Sequence, residues 1–71
     1  MAGRLNELIE TLRPLIARDD WDMLTAVEIL TDACVRAGAS RDDIARALVD
    51  NFRGSILAER AAYRVLFPDL H

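Results

Sequence analysis

The stretch from Asp19 to Ser40, DDWDMLTAVEILTDACVRAGAS, constrains the fold more than any other part of the chain. It contains a helix start, an apolar face and a helix stop, and a second helix begins immediately after it. Asp19 is expected as the N-cap, with Asp22 three residues on, where a capping box has Glu or Gln. Both carboxylates would accept orphan backbone N–H groups and sit favourably in the N-terminal dipole field. Gly38 supplies the left-handed residue that ends helices, and Arg36 in the last turn meets the exposed carbonyls. At about 100° per residue, Met23, Ala26, Val27, Leu30, Cys34 and Ala37 fall on one broad side. Asp22, Thr25, Glu28, Asp32 and Arg36 fall opposite, with Ile29 an apolar exception among them. This pattern predicts a core helix over residues 20–37.

The remaining segments read as helices joined by short connections. Leu5, Leu8, Ile9, Leu12, Leu15 and Ile16 form a narrow seam of near-heptad spacing. Pro14 interrupts it, because proline in a helix interior loses a backbone bond and clashes with the preceding turn, at about 3 kcal/mol. The expectation is a helix over 3–12, then a separate turn or kinked extension to 17. Ser40 caps a third helix over 41–53, whose apolar face is Ile44, Ala45, Leu48, Val49 and Phe52. Ser55 caps a fourth over 56–66, ended by Pro68, which pushes Phe67 out of the helical region. The fold expected is therefore all-α: a small four-helix bundle with short loops, or three helices plus a kinked N-terminal one. Residues 1–71 read as a single domain.

Length matters here because 71 residues bury little. A chain of this size hides only about 60% of the surface its unfolded form exposes, so many such chains rely on a staple. One cysteine forms no internal disulfide, and no Cys/His cluster has metal-ligand spacing. Oligomerisation is the remaining route, which favours a homodimer or a complex with a larger protein.

The net charge is −3, and all nine basic residues are arginine. A general polyanion binder would be basic overall. Arginine without lysine, among many alanines, suggests a GC-rich bacterial or phage genome. No apolar run approaches the roughly 20 residues of a membrane span. The first ten residues lack the layout of a signal peptide, and the lone cysteine fits a reducing compartment. The expected location is the cytoplasm.

The fourth helix is unusual. Leu57, Ala58, Ala61, Ala62 and Val65 make one apolar side, while Ile56, Tyr63 and Phe67 make a second. Arg60 and Arg64 stand one turn apart beside them. A helix apolar on two sides is either central in its fold or held between its fold and another chain. The second arrangement is expected in so small a domain, and Ile56, Arg60, Tyr63, Arg64 and Phe67 are the candidate protein interface, with Trp21 as a further anchor.

No other constellation points to chemistry. Asp19, Asp20 and Asp22 are hard-cation ligands by type, but helix capping accounts for two of them, and the Gly and further ligands of a calcium loop are missing. Cys34 lies on the apolar side and has no thiolate-stabilising partner, since the only histidine is His71. Thus no catalytic residue, metal ligand, cofactor or small-molecule substrate is expected. Residues 40–52 open like the first helix of a helix-turn-helix, but Val49 stands where that motif turns on glycine. Ile56, Leu57 and Ala58 also do not suit the start of a recognition helix.

The function expected is a small acidic helical interaction module, a regulator or adaptor working as a homodimer or on a larger protein. One alternative is a DNA-binding transcriptional regulator using Arg46, Arg53, Arg60 and Arg64. Another is a phage- or plasmid-type inhibitor presenting an acidic face of Glu7, Glu10 and Asp32.

Overall fold

Four helices and one short turn of 3-10 helix make up the chain: α1 (Ala2–Ala17), the 3-10 turn Trp21–Met23, α2 (Leu24–Arg36), α3 (Arg41–Asn51) and α4 (Ile56–Leu66). The computed structural model describes residues 2–69, with side chains from Arg4 to Asp69. No strand occurs among the described residues, and the fold is an all-α bundle.

Local chemistry explains most of the helix ends. Gly38, at φ 108°, closes α2 in a Schellman arrangement: its N–H donates to the Val35 carbonyl at 2.9 Å, and the Ala39 N–H donates to the Cys34 carbonyl at 3.1 Å. Ser40 starts α3, its hydroxyl oxygen accepting from the Asp43 N–H at 3.4 Å, and Ser55 starts α4 by accepting from the Ala58 N–H at 3.2 Å. Gly54, at φ 85°, turns the chain between α3 and α4. The third helix ends at Asn51 rather than 53, with Phe52 already outside helical geometry.

Of the two arrangements expected after Leu12, a separate turn or an extension of the helix to 17, the extension is the one present: α1 continues through Pro14 to Ala17. Pro14 and Glu10 are both exposed, so the interrupted backbone bond lies on the outer side of the helix. One turn further on, Ile16 is buried to 6% exposure and Leu15 packs on the core. Burying an Ile-sized side chain contributes about 1.5–3 kcal/mol, comparable to the proline penalty. The seam therefore carries the helix past its breaker.

Asp19 is not the N-cap of the second helix. It adopts φ 51° and its N–H donates to the Ile16 carbonyl at 3.0 Å, closing α1. Asp20 is the cap instead, accepting from the Asp22 N–H at 3.0 Å, and the 3-10 turn precedes α2, which starts only at Leu24.

The helices pack in a ring, α1 on α2, α2 on α4, α4 on α3 and α3 on α1, and the α3–α4 pairing is the most extensive. Leu12, Val27, Ile44, Leu48 and Ala61 are fully buried at its centre, with Leu8, Ile9, Phe52, Leu57 and Ala58 around them. Two arginines fasten helix ends across the ring. Arg4 donates to the Ala37 carbonyl at 2.7 Å, and Arg41 donates to the Val65 carbonyl at 2.9 Å. Each meets the negative end of a helix dipole, and each brings the start of one helix to the end of its neighbour. The pairs α1–α2 and α3–α4 are thus antiparallel. The guanidinium of Arg13 also lies over the Phe52 ring, 5.6 Å from its centroid.

The face of α2 is rotated slightly from its expected centre. Thr31 is buried to 2% exposure, while Ala37 is exposed. The Thr31 hydroxyl donates to the Glu28 carbonyl at 2.9 Å, which removes the penalty of burying it. Cys34 is buried and unpaired in the core. The molecule measures 28 × 27 × 18 Å, and its thin dimension is two helices deep. Every helix therefore keeps a face toward solvent.

Candidate interaction surface

The surface of interest begins with the phase of α4. Once Ser55 has set the start of the helix, the small residues Ala58, Ala61 and Ala62 point inward with Leu57 and Val65, each no more than 5% exposed. Alanine on the inner side lets α4 approach its neighbours closely. The same phase turns the helix's larger side chains outward. Ile56 is 62% exposed, Tyr63 56% and Phe67 47%.

These outward residues are brought together in part. The rings of Tyr63 and Phe67 stand 5.0 Å apart at 48°, a tilted pair within the favourable range for aromatic contacts. Ile56 lies seven residues before Tyr63, two turns away on the same side. Arg64 turns away toward α2, where its guanidinium is 3.6 Å from the Glu28 carboxylate, and Arg60 lies one turn before it. Trp21 is 59% exposed on the 3-10 turn that packs on α2, and it does not line the α3–α4 groove described next. His71, expected as a chain end, lies outside the described residues.

Beside the aromatic pair runs a groove between α3 and α4 of about 460 Å³. Ala45, Val49, Ala62, Tyr63 and Leu66 form its apolar lining, and Asp42, Arg46, Asp50 and Glu59 stand around it. Of its lining residues, sequence reasoning had only Tyr63 in the candidate interface, and two exposed apolar members were misplaced or left out. Val49 was expected on the buried face of α3 and is instead 45% exposed; Leu66, at 38%, was expected on neither side of α4. Val49 sits at the edge of its helix's apolar arc, and the position of α4 decides whether that edge is covered. Only the α3–α4 packing angle could have revealed it.

A second groove, of about 350 Å³, lies between α2 and the end of α4, with Ile29, Val35, Val65 and Pro68 among its lining. Its polar groups are engaged within the fold: Arg41 with the Val65 carbonyl, Arg64 with Glu28, and Thr31 with its own helix. Ile29, the exception on α2, is 62% exposed at its edge.

Several of the remaining charged candidates have local partners. Arg53 lies 3.6 Å from Asp50, Arg13 2.9 Å from Glu10 and Arg36 2.8 Å from Asp32, all exposed pairs of small energetic value. Among the described residues no three His, Cys, Asp or Glu side chains gather as a metal site would need. No described helix is long and apolar enough to cross a membrane. The chain matches no protein-family model, no curated protein and no solved structure.

Proposed function

We propose that this protein is a docking module, a regulator or adaptor that engages another protein, or a second copy of itself, through the outer face of α4. The observation that carries this reading is a groove lined by the exposed apolar residues Val49, Tyr63 and Leu66, with Phe67 packed on Tyr63 beside it and Ile56 exposed two turns before Tyr63. Single exposed apolar residues are ordinary, but a continuous patch rimmed by polar groups is the usual mark of a protein contact. Aromatic anchors with arginine nearby, as Arg60 stands here three residues before Tyr63, are where such contacts concentrate their energy. A buried, reduced Cys34 suits work in the cytoplasm.

The nucleic-acid reading has less support. Arg53 and Arg64 each have a carboxylate within 3.6 Å, and Arg46 is flanked one turn on either side by Asp42 and Asp50. The acidic-face inhibitor is weakened in the same way, since Glu10 and Asp32 are each within 2.9 Å of an arginine.

Photo-crosslinking tests the docking reading. Benzophenone replaces the Tyr63 side chain in one variant and the Glu10 side chain, on the exposed side of α1, in another. Expected is one discrete product, with another protein or with itself, that is abundant from position 63 and scarce from position 10. Equal or absent products from both positions would remove the reading.

A further inference from the structure

The α3–α4 groove has an apolar floor and an acidic rim. Val49 on α3 and Leu66 on α4 belong to its apolar lining, and Asp42 and Asp50 on α3 and Glu59 on α4 line it too, with Arg46 the one cation among its lining residues. Asp42 and Asp50 are two turns apart on one ridge, about 12 Å at ~1.5 Å per residue. Asp50 has Arg53 at 3.6 Å, an exposed pair easily exchanged for another cation.

We infer that this groove takes a basic amphipathic helix from a partner protein, with an apolar centre and a lysine or arginine toward each end. This inference rests on the docking reading above and names its occupant. A helix laid in the groove would seat its apolar stripe against Val49, Tyr63 and Leu66, the usual helix-in-groove mode. Its end cations would fall near Asp42 and Asp50. A second copy is a poorer occupant: three carboxylates against one arginine line the groove, so pairing it with itself brings together surfaces of the same net sign. Polyanions are repelled for the same reason. Charge complementarity here selects the partner and speeds encounter more than it adds affinity.

The test uses two fluorescein-labelled, hydrocarbon-stapled helical peptides of three turns, identical in their Leu/Phe stripe, one carrying Lys at both ends and the other Glu. Fluorescence anisotropy is read on the full chain at low and raised salt. Expected is binding of the Lys peptide on the order of tenfold tighter than the Glu peptide at low salt, the gap narrowing as salt rises. Asp42→Asn with Asp50→Asn should close most of the gap, and Val49→Arg should remove binding; all of these positions are exposed, and circular dichroism checks that each variant is folded.

Equal binding of both peptides, lost in Val49→Arg, would overturn the basic partner while leaving the docking face intact. Binding of neither would also overturn it, and the position-63 crosslink then decides separately whether the face docks at all. A dimer in sedimentation velocity that Val49→Arg disperses would make a second copy the occupant and likewise end the proposal.

Discussion

The two faces of α4 invert the usual distribution of side-chain size. Its inner face is built on Ala58, Ala61 and Ala62, whereas its outer face carries Ile56, Tyr63 and Phe67. A helix that only stabilised its own bundle would gain most by burying the large residues, at about 1.5–3 kcal/mol each. Here three of the five inward positions carry only a methyl group, beside Leu57 and Val65, which lets α4 approach α3 and α2 closely. The contrast shows that tight packing and a large apolar outer face come from a single choice of helical phase. Stability sits on one side of α4 and the capacity for contact on the other.

Three substitutions break or sharpen that contrast, each read by urea unfolding monitored through helical circular dichroism. Leu57→Ala removes the largest inward side chain of α4, which is 2% exposed, and should lower stability by about 2–5 kcal/mol. An effect no larger than that of an exposed site would mean that the inner face is not core. Ala61→Leu tests the close approach from the opposite direction. Adding bulk at a fully buried position should cost about 1–3 kcal/mol, and a neutral result would show that α4 has slack against its neighbours.

The smallest expected effect is on the outer face. Tyr63→Ala with Phe67→Ala forfeits their mutual contact, about 0.5–1.5 kcal/mol, and otherwise leaves the fold as it was. Loss of stability as great as that of Leu57→Ala would mean that the aromatic pair belongs to the core, and would turn the outer face from a docking surface into part of the fold.

Much of the architecture was legible because it is decided within a few residues. Gly38, Ser40, Ser55 and Pro68 act on backbone groups no more than one or two turns away, and each ends or starts a helix where the pattern has it. The inward and outward sides of α4 follow from periodicity in the same way. The open choices and errors lie where a local signal competed with a distant one. Pro14 reads as a stop or a kink, and Ile16, held in the core by other helices, decides for the longer helix. Asp19 and Asp20 are equally good caps by residue type, and the way α1 closes, with Asp19 at φ 51°, assigns the role to Asp20.

The candidate surface divides along the same line. Ile56 and Tyr63 could be placed on one outward stripe because they share a helix, and Phe67 follows at its C-cap. Val49 and Leu66 became part of it only when α3 and α4 were packed side by side. The bonds from Arg4 to Ala37 and from Arg41 to Val65 join residues 33 and 24 positions apart, and no local pattern announces them.

By itself, the sequence determined four helices, most of their limits and which side of α4 is small, since caps and periodicity act over one or two turns of a single helix. Only the tertiary structure decided that the first helix passes through Pro14, that Val49 stays in solvent, and that a groove rimmed by Asp42, Asp50 and Glu59 opens beside Tyr63. Those features depend on how helices meet, and the energy that sets their meeting comes from residues far apart in the chain.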